Sequence, residues 1–164
     1  MFAIGCLIGL FGVCFATLAV AEQAPSAWYT RCEEPTDGGT VCNIEHKTLL
    51  KATGQELLRV TVKVDPGSVL PALMIRTPLG LYLPDGVVFK VDDGKTVDLA
   101  LQTCKAEGCY AGSSMTQDLL AALMSGEGVT VSFKNLTKKD MDIPVSLEGF
   151  DAAYREVRFG PDPG

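Results

Sequence analysis

The chain has 164 residues, 47% hydrophobic and 21% charged, with six cysteines, one histidine and one tryptophan, which suits one globular domain and leaves no room for a second of full size. Fourteen Lys+Arg against twenty Asp+Glu give a net charge of −6, and no basic run exceeds Lys138-Lys139, so the footprint of a nucleic-acid binder is missing and an anionic membrane is a poor partner for the chain as a whole. A single histidine excludes metal sites and catalytic networks that need two imidazoles, and no metal or cofactor is expected.

In chain order, residues 2–20 are apolar and uncharged, and Ala19-Val20-Ala21 offers the small-x-small pattern of a signal-peptidase site before Glu22. Residues 1–21 read as a signal peptide, with the mature chain starting at Glu22. A basic leader region is missing, since the first basic residue is Arg31. The alternatives are an uncleaved membrane anchor, because about twenty apolar residues can just span a bilayer, and, third, a lipoprotein start at Cys6. The expected location is the periplasm, with outer-membrane association or secretion as variants.

Cleavage would remove Cys6 and Cys14 and leave Cys32, Cys42, Cys104 and Cys109. An even number in an oxidising compartment implies two disulfides, and the spacing favours Cys32–Cys42 and Cys104–Cys109, each closing a short turn-bearing loop. Neither spacing is that of a C-x-x-C zinc or redox site.

The strand signals begin with Trp28–Cys32 and Thr40–Lys47. Leu58, Val60, Val62 and Val64 then alternate with Arg59, Thr61 and Lys63, the clearest half-buried strand in the chain. Leu73–Thr77, Val87–Val91, a strand through Val97, Leu99 and Leu101, a strand through Val129, Val131 and Phe133, and Met141–Leu147 follow. Turns at Asp65-Pro66-Gly67, Pro84-Asp85-Gly86 and Asp92-Asp93-Gly94 separate several of them. Two short helices are expected: Ser114–Ser125, capped by the Ser114 hydroxyl and stopped by Gly126, and Phe150–Val157. The fold class is therefore mainly all-β, an antiparallel sandwich of seven or eight strands, immunoglobulin-like or jelly-roll-like, with two peripheral helices. The domain should span residues 22–158, followed by a disordered tail at 159–164.

Three places carry functional readings. His46 is the only imidazole available as a general base, but no nucleophile elbow accompanies it, and a half-exposed strand position is the default. Trp28 reads either as a core anchor packed on a disulfide or as an exposed binding aromatic. The stretch from Thr77 to Pro84 holds Leu79, Leu81, Tyr82 and Leu83 between Pro78 and Pro84. Each proline removes a backbone donor, and the side chains are too apolar for a free loop. These four residues form the candidate interaction surface, lying on a sheet edge and either packed inward or offered to a partner.

The order of several motifs resembles the invasion-associated locus B family of Gram-negative envelope proteins. Trp28, Cys32 and Cys42 come first, then Thr77-Pro78-Leu79-Gly80, Leu83-Pro84, Gly86-Val87 and Phe89. Cys104, Gly108-Cys109 and Ala111, the helix with Gly126, and finally Ser146-Leu147 and Gly149-Phe150 complete it. The resemblance covers about residues 28–157 and implies an exported, disulfide-containing β-sandwich of the periplasm or outer envelope; it does not imply an enzyme, a cofactor or a known ligand. The partner would be an envelope protein or a host surface, with peripheral membrane association compatible and oligomeric state left open. A hydrolase built on His46 is the alternative.

Overall fold

The computed structural model describes residues 28–34, 40–65 and 67–160. Residues 1–27, 35–39, 66 and 161–164 lie outside this set, and with them the signal peptide expected at 1–21; of the tail expected to be disordered at 159–164, Phe159 is helical and Gly160 caps that helix.

Ten strands form two antiparallel sheets among the described residues. The larger contains β1 (Trp28–Glu33), β2 (Val41–Leu49), β3 (Glu56–Val64), β4 (Ala72–Thr77), β7 (Leu101–Lys105) and β8 (Gly108–Ser114), in the order β1-β2-β3-β4-β8-β7. The smaller contains β5 (Val87–Val91), β6 (Thr96–Leu99), β9 (Gly128–Lys134) and β10 (Asp140–Ser146), in the order β10-β9-β5-β6. Alternation explains the layers: Leu58, Val60, Val62 and Val64 of β3 are buried and Lys63 is exposed. On the facing sheet Val87, Phe89 and Val91 stand opposite Phe133, Val131 and Val129. Mainly β architecture with two short helices agrees with the sequence reading.

Four local expectations need correction. The strand through Val97, Leu99 and Leu101 is two strands, because at Ala100 the chain leaves the small sheet and continues in the large one. Gly86 sits against this corner, where an added Cβ would lie 2.4 Å from the Leu99 carbonyl oxygen. Strand β8 had no signal, since Gly108, Gly112 and two serines give it little apolar alternation. The first helix, α1 (Gln117–Ser125), is capped by Thr116, whose Oγ1 accepts from the Leu119 N–H at 3.2 Å; Ser114 ends β8 instead. The second helix, α2 (Phe150–Phe159), runs two residues further than expected and packs against β1, β2 and α1.

Both disulfides form as the spacing suggested. Each joins directly opposed residues, and each ties an edge strand of the large sheet to its neighbour: Cys32–Cys42 holds β1 to β2, Cys104–Cys109 holds β7 to β8. Trp28 is a core anchor, 4% exposed, set beside the rings of His46 and Phe150. It meets Phe150 edge-on at 4.9 Å and donates its indole N–H to the Ser146 carbonyl at 2.8 Å, which joins β1 to β10 and α2.

Candidate functional site

The segment after β4 is anchored by its backbone. Thr77 is buried and donates its hydroxyl to the Cys109 carbonyl. Gly80 then takes a φ of 85°, a left-handed turn that glycine adopts without Cβ strain. Leu81 bridges Asn135, the Tyr82 N–H donates to the Lys134 carbonyl at 2.8 Å, and the Leu136 N–H donates to the Gly80 carbonyl at 3.1 Å. A 3-10 turn at Leu83–Asp85 returns the chain to β5. The stretch thus continues the line of β5 along the end of β9, and Pro78 and Pro84 sit outside that short ladder.

The facing turn, between β9 and β10, is built around Asn135. Its Oδ1 accepts from the Thr137 N–H and the Lys139 N–H, both at 3.0 Å, and from the Thr137 hydroxyl. Lys138 adopts a φ of 60° there, and its Nζ lies 4.7 Å from the centre of the Tyr82 ring. Lys134 pairs with Asp85 at 2.8 Å, which raises the Lys134 pKa through that hydrogen bond and charge.

The four residues singled out in the sequence therefore divide. Leu81 is in the core at 6% exposure, and Tyr82 is half-buried beneath Lys138. Leu79 and Leu83 stay on the surface at 55% and 50% exposure. No pattern in the sequence singles out Leu136, but the Gly80 hydrogen bond brings it to the same place, 71% exposed. The result is a tip with three exposed leucines on a hydrogen-bonded backbone.

His46 is buried rather than half-exposed, on the core side of β2 beside the Trp28 ring at 5.4 Å. Its Nδ1 is buried without a hydrogen-bond partner among the described residues, and burial lowers its pKa. A hydrolytic role would require a nucleophile within hydrogen-bond reach in a concave pocket, whereas the neighbour seen here is an indole.

The outward face of the large sheet is polar and ordered. Tyr29, Glu45, Thr61, Met74 and Gly112 form one row across it, and Lys47, Arg59, Arg76 and Tyr110 the next. Tyr29 donates its hydroxyl to Glu45 at 2.8 Å, Arg59 reaches Glu45 at 3.5 Å and grips Glu56 through two nitrogens at 2.8 Å, and Arg76 also pairs with Glu56. Glu45 and Thr61 are buried within this row. Burial alone would raise the Glu56 pKa, but the hydrogen bonds from Arg59 and Arg76 outweigh it and the net shift is downward.

Comparison with known proteins gives a consistent picture. Two curated relatives, the invasion protein B homologues of Brucella abortus strain 2308 and of Brucella abortus biovar 1 strain 9-941, are each 29% identical over 138 residues, covering 84% of this chain and 79% of theirs. The crystal structure of invasion associated protein B from Bartonella henselae superposes with a TM-score of 0.71 at 19% identity, covering 80% of this chain and 90% of that one, and so shares the fold. The family model for the invasion associated locus B protein matches residues 28–158. That span holds both sheets, both helices and both disulfides, and on it the chain belongs to the invasion-associated locus B family.

Proposed function

We propose that this is an exported, non-enzymatic interaction protein of the cell envelope, which docks a partner through the tip formed by Leu79, Leu83 and Leu136. The exposed leucines carry the reading. Three large apolar side chains remain in water on a segment whose backbone is held by the Tyr82–Lys134, Leu136–Gly80 and Gly86–Leu83 hydrogen bonds, so the exposure is a property of the folded tip. Two disulfides fit an oxidising compartment such as the periplasm or the outer envelope. The names of the Brucella and Bartonella relatives refer to invasion, which supports a host surface as one setting for the contact.

The test is a triple variant, Leu79→Ser, Leu83→Ser and Leu136→Ser, compared with wild type in affinity capture from envelope extracts. The variant should keep its melting temperature within about 2 °C, as exposed substitutions do, and lose the co-purifying component. Equal recovery by a variant of unchanged stability would contradict the proposal.

A further inference from the structure

Lys47, Arg59 and Arg76 stand directly opposite one another on β2, β3 and β4. Adjacent strands are ~4.8 Å apart, and like charges in direct cross-strand register oppose pairing. A sequence that breaks a local rule in this way tends to do so where function asks for it. The carboxylates set into the band do not balance it. Glu45 and Glu56 face Arg59 and Arg76, while Lys47 lies over the Tyr29 ring at 5.1 Å and Lys105 of β7 lies over the Tyr110 ring at 6.0 Å. The band thus holds four cations and two carboxylates in a chain whose net charge is −6. The outward face of the small sheet has the opposite balance, with Asp98, Asp140 and Asp142 against Lys90 and Lys134.

We propose that this band is a second docking surface, independent of the leucine tip, and that its occupant is an extended acidic polypeptide segment laid across the strands. Charge complementarity selects an anion, and the shape selects a polypeptide. The guanidinium side chains of Arg59 and Arg76 are recessed, 24% and 20% exposed, which suits a slender carboxylate side chain better than a broad bilayer headgroup layer. Tyr29, Met74 and Tyr110 among the arginines give the composition enriched at protein interfaces. The span also fits: β2 to β7 is four strand spacings, ~19 Å, and six extended residues cover ~20 Å, with alternate side chains pointing to one side. The ion pairs hold both arginines in place before any partner arrives, which lowers the cost of ordering them on binding.

The experiment uses the disulfide-intact protein and a fluorescein-labelled eight-residue peptide alternating Glu and Ser, with an alternating Gln and Ser peptide as control. The acidic peptide should bind saturably at low salt, weaken as salt rises, and bind at least about tenfold better than the control. Lys47→Gln with Lys105→Gln removes two exposed charges outside the Glu56 network, and should weaken binding about tenfold with an unchanged melting temperature. Asp98→Asn, on the opposite face, should leave binding unchanged. No saturable binding, equal binding of the neutral peptide, or full affinity in the double variant would overturn the proposal. So would charge-dependent self-association of the protein alone, which would make a second copy the occupant.

Discussion

Replacing Leu81 by alanine separates the two halves of the apolar stretch. Leu81 is 6% exposed, bridges Asn135 and belongs to the continuous core with Phe133 and Val87. Truncation of a buried leucine costs about 2–5 kcal/mol, the spread reflecting how far the site collapses. Leu81 lies where β9 ends and surface residues begin, so partial collapse is easy and the lower part of that range applies, about 2–3 kcal/mol. For a domain of this size the melting temperature should fall by roughly 6–15 °C. Leu79→Ser, two residues away at 55% exposure, should change stability by no more than about 0.5 kcal/mol. Urea unfolding followed by tryptophan fluorescence measures both, because Trp28 is buried against Phe150 and reports loss of the core. If the two variants unfold at the same urea concentration, the alternation assigned to this stretch is wrong.

Other outcomes follow from the same structure. His46 is buried and its pKa is depressed below the ordinary 6.5, so the neutral form favours the fold. Stability should be full above that value and fall as pH drops below it, and His46→Gln should flatten the slope of melting temperature between pH 7 and 5. Glu56 is also depressed below its usual 4.5; its contribution is present above that value and lost at lower pH, so Glu56→Gln should destabilise at pH 7 and matter little at pH 3 by thermal melting. Removing Cys104–Cys109 by alanine substitution of both residues should cost about 2 kcal/mol for so short a loop, measurable by chemical unfolding, and dithiothreitol should then destabilise the variant less than wild type. Gly108→Ala should destabilise by several kcal/mol, because φ is 144° and the new Cβ would sit 2.2 Å from the Thr77 carbonyl oxygen; a melting temperature equal to wild type would count against the close packing of the β7–β8 turn on β4.

Much of the fold was readable wherever one face of a strand meets the core. Leu58 to Val64 alternates because β3 is central in its sheet and only its inward side chains are buried. Strand β8 is hidden for the converse reason: its inward residues are Cys109 and Ala111, too small to mark an apolar period, and Gly112 fits where an added Cβ would approach the Leu73 carbonyl oxygen to 2.6 Å. The break at Ala100 leaves no mark in the sequence, because a strand that changes sheets keeps its apolar period. At the tip, Leu79 and Leu83 were visible from their proline frame, whereas Leu136 is a lone leucine in a polar turn and joins them only through the Gly80 hydrogen bond. The cation band could not be read at all, since Lys47, Arg59 and Arg76 are separated in sequence and only the strand register aligns them.

Photo-crosslinking in intact cells shows whether the leucine tip is where this protein meets its partner. A photoreactive phenylalanine analogue is placed at position 136, and for comparison at position 88, on the outward face of the small sheet. Irradiation should give a discrete higher-mass adduct from position 136 and none from position 88. That adduct should disappear when Leu79 and Leu83 are serine. Adducts of equal yield from both positions, or an adduct at 136 that survives loss of both leucines, would contradict the assignment of the tip.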